Sequence, residues 1–231
     1  VVTSGRCISQ SQTVTVTVLP AITGNITSRP DSVICEGLIF NSLGATIPAG
    51  GSGIYTYLWQ DSTATGTWQP ASGVNNTQTH NPDTSRFATV ETRYFRRIVL
   101  SGPYNVCKST GSPILLTRHF RIENNIISEG ATICAGTTPP SLTGSTPLMG
   151  SGTYTYMWQD SSSVATWTTR ASVISPFTPP ALTDSVWYRR IVRSAKCSDT
   201  SKITVVKVHS PVTNNLIRLI SGSGPDTTIC S

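Results

Sequence analysis

Short stretches of alternating apolar and polar residues recur along the chain, separated by turns rich in glycine and proline. Residues 13–18 alternate Thr with Val, and residues 202–208 follow the same pattern less strictly. Alternation places successive side chains on opposite faces of a β-strand, so both segments are predicted to be half-buried strands. Turn-forming residues interrupt the pattern, for example at 48–53 and at Pro139-Pro140.

The same succession of motifs occurs twice, because the chain contains an internal repeat. Residues 54–62 recur as residues 153–161, and both contain Tyr-x-Tyr-x-Trp-Gln-Asp-Ser. Residues 94–99 recur as residues 187–192, and both end in Arg-Arg-Ile-Val. The period of two predicts that the aromatic residues of the first motif lie on one face of a strand.

Further matches define the limits of the repeats. Ile-Cys-x-Gly begins at Ile34 and at Ile133, and the pair Ile-Cys recurs at Ile229. We therefore assign residues 1–20 to the final strands of a preceding repeat and residues 21–120 and 121–210 to two full repeats. Residues 211–231 are assigned to the first strand of a following repeat. About seven short strands in each full repeat predict tandem immunoglobulin-like antiparallel β-sandwich domains, an all-β fold. We expect the segment to belong to a longer array, since one strand without its sheet is unstable.

The charge distribution argues against nucleic acid as a partner. The chain has 17 Lys and Arg against 11 Asp and Glu, a net charge of +6. The basic residues are scattered except in the pairs Arg96-Arg97 and Arg189-Arg190, and alternation sends the members of each pair to opposite faces of a strand. No apolar run is long enough to span a membrane, and we expect any export signal to lie outside this segment.

The sequence contains no arrangement typical of an active site. His80, His119 and His209 are single and unrepeated, and we expect them at the surface. Asp61 and Asp160 recur, but one carboxylate is too few for a tight calcium site. We therefore predict no catalytic residue, no metal site and no cofactor.

The tryptophans of each repeat fall into two classes. Trp59 and Trp158, with Tyr57 and Tyr156, lie on the strand where sandwiches place a core tryptophan, and we predict that they are buried. Two others lie among polar residues and are candidates either for packing at the edge of the sandwich or for ligand contact, namely Trp68 and Trp167. Arg97 and Arg190 are predicted to pack against aromatic rings.

The order of these motifs resembles a known family. Each repeat contains, in order, Ile-Cys-x-Gly, Tyr-Thr-Tyr-x-Trp-Gln-Asp-Ser, a second Trp, Arg-Arg-Ile-Val, Cys and a Thr/Val strand. This order resembles that of the immunoglobulin-like or PKD-like tandem repeats of large Bacteroidota cell-surface adhesins, of the type of the gliding-motility adhesin SprB. The resemblance implies export by type IX secretion, an extracellular location at the cell surface, and a role in a stalk or adhesive filament.

Six cysteines at regular positions in an exported chain predict disulfides. Pairing within a repeat gives Cys35–Cys107 and Cys134–Cys197 and leaves Cys7 and Cys230 for partners outside the segment. Pairing across the joints gives Cys7–Cys35, Cys107–Cys134 and Cys197–Cys230. We favour the first scheme, because a strand length separates the first cysteine of each cross-joint pair from the next repeat.

These observations predict a non-enzymatic structural segment of a cell-surface adhesin or filament, acting as a stalk and in adhesion or gliding. The expected partners are neighbouring repeats of the same chain, with lateral self-association into a filament and a surface or glycan ligand as further possibilities. The alternatives are a glycan-binding module that uses Trp68 and Trp167, and an accessory domain of a secreted hydrolase.

Overall fold

The computed structural model describes residues 1–29, 31–88, 91–171 and 176–216. The chain divides into two compact units, Val1–Phe120 and Arg121–Ser231. Most of the regular structure is β-strand, and the described helical segments are two short 3-10 helices, Thr84–Phe87 and Pro103–Asn105. Within the described ranges, no helix has the length and apolar character to cross a membrane.

The described residues of unit 1 form ten strands, which are β1 (Val2–Ser4), β2 (Cys7–Ser9), β3 (Thr27–Ser28), β4 (Val33–Cys35), β5 (Gly44–Ala45), β6 (Tyr55–Ser62), β7 (Gln69–Pro70), β8 (Thr92–Ser101), β9 (Cys107–Thr110) and β10 (Ile114–His119). The main sheet has the order β4-β10-β8-β6-β7, and β9 also pairs with β8. Its strands are antiparallel, except that β4 and β10 run parallel.

Unit 2 repeats the main sheet, and the part of it that the structure describes contains six strands, which are β11 (Thr132–Cys134), β12 (Thr155–Ser161), β13 (Thr168–Ala171), β14 (Val186–Ser194), β15 (Cys197–Thr200) and β16 (Thr204–His209). Their order is β11-β16-β14-β12-β13, and β15 also pairs with β14. The parallel pair again joins the first and last strands of the sheet, β11 and β16. Each strand of this sheet thus has a counterpart in unit 1.

A second, more irregular layer covers one face of each main sheet. In unit 1 it contains the pair β3–β5 and the isolated bridge between Leu43 and His80, and Leu43 packs in the same core as Trp59. In unit 2 the corresponding bridge joins Leu142 and Phe177, and both residues lie in the core with Trp158. Both units are therefore immunoglobulin-like antiparallel β-sandwiches, as predicted from the repeat.

The side chains of the central strand β8 alternate between the inner and outer faces of the sheet. Arg93, Phe95, Arg97 and Val99 are buried on the inner face, whereas Arg96 lies on the outer face and is half-buried. In β14 the equivalent Arg190 is fully buried and Arg189 is half-buried. The prediction that the paired arginines point to opposite faces is therefore confirmed.

The segment 13–18 is not a strand, in contrast to the prediction from its alternating pattern. Val14, Val16 and Val18 are 82%, 82% and 88% exposed. The equivalent strand of unit 2, β16, pairs with β14 and β11. Residues 1–12 contain no counterpart of β11, so alternation alone does not provide the neighbours that a strand requires.

The first residues of the chain nevertheless repeat the backbone of a hairpin found further along. In β1 and β2, Ser4 lies opposite Cys7, and in β14 and β15 Ser194 lies opposite Cys197. The sequences agree as well, since Val-Thr-Ser-Gly-Arg-Cys at 2–7 corresponds to Val-Arg-Ser-Ala-Lys-Cys at 192–197. Most of residues 211–231, assigned to a following repeat, lie outside the described residues.

Candidate functional site

The outer face of each main sheet carries a stack of three side chains. Arg96 on β8 places its guanidinium carbon 4.0 Å from the centre of the Trp68 ring. Its Nε and Nη2 donate hydrogen bonds to Oε1 of Gln60 on β6, at 2.9 and 2.8 Å. The hydrogen bonds to Gln60 thus fix the position of the arginine, and the tryptophan ring packs against its guanidinium group.

The same stack occurs in unit 2. Arg189 lies 4.1 Å from the centre of the Trp167 ring, and its Nε donates to Oε1 of Gln159 at 2.9 Å. Trp68 and Trp167, the candidates for ligand contact, are both half-buried, and a guanidinium covers one ring face of each. A cation–π contact of this kind stabilises by about 0.5–1 kcal/mol at an exposed site. The arrangement favours the interpretation of both tryptophans as packing residues.

The inner face holds the four predicted core aromatics. Trp59 and Trp158 are completely buried, and Tyr57 and Tyr156 are half-buried on the same strands. Trp59 stacks on His80 with 5.7 Å between ring centres, and Trp158 stacks on Phe177 at 5.5 Å.

A buried arginine lies beside each of these tyrosines. The guanidinium carbon of Arg97 is 5.1 Å from the Tyr57 ring centre, and that of Arg190 is 5.4 Å from the Tyr156 ring centre. Both arginines are 0% exposed. Burial lowers the pKa of both side chains from their usual value. An arginine stays protonated at neutral pH despite such a shift, so each core contains a positive charge that needs hydrogen-bond acceptors.

An asparagine from the start of each unit supplies one of these acceptors. Arg97 Nε donates to Oδ1 of Asn25 at 3.0 Å, and Arg97 Nη2 donates to the carbonyl of Thr46 at 2.8 Å. Arg190 Nε donates to Oδ1 of Asn125 at 2.9 Å. Sequence reasoning did not single out these asparagines as binding partners of the arginines. Their recurrence together with the buried arginines is the signal that could have identified the pair.

The amide group of each asparagine also ties neighbouring strands together. Asn25 Nδ2 donates to the carbonyls of Arg97 and Ser109, at 3.3 and 3.1 Å. Asn125 Nδ2 donates to the carbonyls of Arg190 and Asp199, at 3.3 and 3.2 Å. The first residues of each unit are therefore anchored to the hairpin between its central strand and the following short strand.

The repeated aspartates are neutralised by arginines in both units. Asp61 is completely buried and lies 2.9 Å from Arg93 Nη2, whereas Asp160 accepts from Arg170 Nε at 2.9 and 2.8 Å. A carboxylate paired in this way is a poor ligand for a cation, because its charge is already compensated. Within the described ranges, no group of three or more His, Cys, Asp or Glu residues could hold a metal ion.

His80 is the clearest departure from the expected surface positions of the histidines. It is 2% exposed, and its Nδ1 lies 3.0 Å from the carbonyl of Val74. Burial lowers the pKa of His80 from its ordinary value of 6.5. Because Phe177 occupies the equivalent core position in unit 2, His80 is a packing residue rather than part of a repeated chemical site.

The cysteines contradict pairing within the repeats. Cys35 and Cys197 are each disulfide-bonded, whereas Cys107 and Cys134 are free. The favoured pairs Cys35–Cys107 and Cys134–Cys197 are therefore wrong. The cross-joint pair Cys107–Cys134 is also absent, and the side chains of Cys7 and Cys230 lie outside the described residues.

Strand register explains why the two cysteines of one unit do not meet. Cys107 lies opposite Ser101 of β8, and Cys35 lies opposite His119, beyond the point where β10 pairs with Thr92. Roughly 30 Å of strand separates these positions, whereas disulfide-bonded cysteines have Cα atoms within about 7 Å.

One surface depression lies near the β8–β9 hairpin of unit 1. It has a volume of about 300 Å³ and includes Ile54, Leu100 and Pro103 in its lining. Tyr104 on the same hairpin is 101% exposed and has a φ of 54°. The β14–β15 hairpin of unit 2 is shorter, with Ser194 paired to Cys197.

Comparison with known proteins places both units in one family. A family model described as a domain of unknown function (DUF8696) matches residues 23–117 and again residues 123–210. No curated protein gives a significant match to the chain.

Several solved structures of tandem domains are similar to the chain at low identity. The three N-terminal domains of the bacteriophage RB49 highly immunogenic outer capsid protein (Hoc) are 12% identical, with a TM-score of 0.49 over 83% of this chain and 70% of that one. The N-terminal four Ig domains of Dscam1 isoform 1.9 are 11% identical, with a TM-score of 0.36 over 84% of this chain and 46% of that one. A marsupial T cell receptor is 15% identical, with a TM-score of 0.34 over 85% of this chain and 74% of that one.

Proposed function

Because the chain belongs to the DUF8696 family, with two successive copies of the domain, we propose that it is a non-catalytic structural segment of a long extracellular protein. In this role it forms part of a stalk or adhesive filament at a cell surface. Its immediate partners are neighbouring repeats of the same chain, with lateral association of several chains as a further level of assembly.

The observation that carries this proposal is that the side-chain arrangements shared by the two units are packing and hydrogen-bonding contacts. The core tryptophan, the buried Asn–Arg pair and the outer Trp–Arg–Gln stack occur at equivalent positions in both. All three features hold strands together. His80 is not repeated, and the repeated Asp61 and Asp160 are each paired with an arginine. A repeat that preserves packing and varies in its reactive groups is typical of a scaffold.

Two further observations support an extracellular location at the surface of a Bacteroidota cell. The structure contains disulfide-bonded cysteines, and disulfides persist mainly in oxidising environments outside the cytosol. The motif order resembles the repeats of gliding-motility adhesins that are exported by type IX secretion. Together these features favour a role in attachment or in movement over a surface.

Surface labelling of intact cells tests this function. Antibodies raised against the 231-residue chain should label intact cells of the source organism, and mild external protease should remove the signal. A strain that lacks the gene should attach to surfaces or move over them less well than its parent. Labelling only after cell lysis, or normal attachment and movement in the deletion strain, would contradict the proposal.

A further inference from the structure

A groove on the surface of unit 2 lies between two stretches of its chain. Residues 125–132 form one wall, and residues 200–207 form the other. The groove has two adjacent parts with volumes of about 570 and 300 Å³, and both parts include Glu129, Ile203 and Thr204 in their lining. All of these residues belong to unit 2, so the groove is formed within a single unit.

The first wall can be aligned between the two repeats through its asparagine. Asn25 and Asn125 each accept a hydrogen bond from the buried arginine of the central strand. The chain continues from both asparagines without a gap. The equivalent pairs of this wall are therefore Thr27 with Ile127 and Arg29 with Glu129.

The second wall can be aligned through the same buried arginines. The N–H groups of Gly111 and Ser201 donate to the carbonyls of Arg97 and Arg190, at 2.8 and 2.9 Å. Counting onward from these two residues gives the equivalent pairs Ser112 with Lys202, Leu115 with Val205, and Thr117 with Lys207.

In unit 1, two side chains of the first wall cross to the second wall. Thr27 Oγ1 donates to the Ser112 carbonyl at 3.2 Å, and Arg29 Nη1 donates to the Leu115 carbonyl at 2.8 Å. Neither bond can form in unit 2, because isoleucine has no hydroxyl group and an ionised glutamate has no proton to donate. The substitutions at Ile127 and Glu129 thus remove the side-chain links that join the two walls in unit 1.

The groove of unit 2 combines apolar and basic side chains. Ile126 and Ile203 are 63% and 50% exposed. Lys202 and Lys207 are exposed on the second wall, about 17 Å apart along an extended chain, and they outnumber the single carboxylate of Glu129. Among the described residues that line the groove, none is aromatic, so it lacks the ring surface considered above for a glycan.

We propose that this groove binds an extended peptide segment of another protein, one that carries aliphatic side chains and acidic residues. Extended peptides are held by main-chain hydrogen bonds, and the pockets beside them select particular side chains. Here Ile126 and Ile203 contact the aliphatic side chains, and Lys202 and Lys207 attract the acidic ones. The net charge of +6 disfavours a second copy of this chain as the occupant. The site adds a binding function to the scaffold and does not depend on the proposed cellular role.

A titration followed by NMR tests the site on the 231-residue chain. The probe is the six-residue peptide acetyl-Asp-Val-Thr-Val-Thr-Asp-amide, whose acidic residues have the same spacing as Lys202 and Lys207. We expect saturable shifts of the amide resonances of residues 125–132 and 200–207. The peptide with Lys in place of both Asp residues is the charge control and should bind at least about tenfold more weakly. Absence of saturable shifts, or shifts confined to other residues, would overturn the proposal.

Residues copied from unit 1 provide two matched variants, one for each wall. Ile127→Thr with Glu129→Arg restores the donors that cross the gap in unit 1 and should weaken binding at least about tenfold. Lys202→Ser with Lys207→Thr removes the positive charges and should weaken binding about tenfold, with a smaller dependence on salt. Thermal melting shows whether each variant is folded, and either folded variant is sufficient for the test. Unchanged peptide affinity in a folded variant would contradict the role of the altered wall.

Two other occupants are distinct outcomes of the same measurements. An oligogalacturonate that shifts the groove resonances at lower concentration than the peptide would identify an acidic glycan as the ligand and refute the peptide. Dimers in sedimentation, with shifts at the groove as the protein concentration rises, would identify a second copy. Because these experiments use purified protein, failure of the groove to bind and failure of the proposed surface function can be told apart.

Discussion

At the scale of single residues, the buried Asn–Arg pair connects the start of each unit to its central strand. Arg97 is completely enclosed, and Asn25 is the side-chain acceptor for its Nε at 3.0 Å. Asn25 also donates to two carbonyls. Loss of Asn25 removes the acceptor of a buried guanidinium Nε and one donor to each of two carbonyls, which is more costly than the loss of an ordinary hydrogen bond.

We therefore expect Asn25→Ala to lower the free energy of unfolding of unit 1 by about 2–3 kcal/mol. Urea denaturation followed by tryptophan fluorescence measures this change. Asn76→Ala, at an exposed position, is the matched control and should change stability by less than about 0.5 kcal/mol. Equal effects of the two substitutions would show that the Asn25–Arg97 contact contributes little.

The buried His80 makes the stability of unit 1 depend on pH. Burial lowers the pKa of the folded-state imidazole below 6.5, so below that pH the unfolded chain binds a proton that the folded chain does not bind. The stability of unit 1 should be fully present above about pH 6.5 and should decrease as the pH falls from there.

His80→Phe, which copies Phe177 of unit 2, should flatten the stability profile of unit 1 between pH 7 and pH 5. Urea unfolding at several pH values measures the profile, with the unfolding of unit 2 as an internal reference. An unchanged slope in the variant would assign the pH dependence to other groups.

At the scale of strands, the two tryptophans of each unit differ in how much they stabilise it. Trp59 on β6 is completely buried, whereas Trp68 is half-buried against Arg96. Trp59→Ala should destabilise unit 1 by about 3–5 kcal/mol through lost packing and a residual cavity. Trp68→Ala should cost only about 0.5–1 kcal/mol, the usual range for an exposed cation–π contact. Calorimetric melting of both variants provides the comparison, and a smaller effect at Trp59 than at Trp68 would contradict the assignment of inner and outer faces.

The strands also show what sequence reasoning can and cannot achieve. Alternation identified the Tyr-x-Tyr-x-Trp strand and the opposite directions of Arg96 and Arg97, because these depend only on local geometry. It failed for residues 13–18, because a strand also needs neighbours. The Asn25–Arg97 contact and the positions of the cysteines depend on which strands lie side by side, information that a single sequence does not contain.

At the scale of the whole molecule, the two units share a fold but differ in the state of equivalent cysteines. Cys35 and Cys197 are disulfide-bonded, whereas Cys107 and Cys134 are free. A disulfide restricts the unfolded chain and stabilises the folded one, typically by about 2–4 kcal/mol.

Reduction of these disulfides should therefore lower the melting temperature of the chain by several degrees, because the unfolded state regains the conformational freedom that the disulfides remove. Calorimetric melting with and without reductant measures the shift. Cys107→Ser, which changes a free cysteine, is the control and should leave the melting temperature of the oxidised chain nearly unchanged. If the melting curve stays the same under strong reductant, the disulfides do not contribute to the stability of the fold, and its stability comes from packing and hydrogen bonds alone.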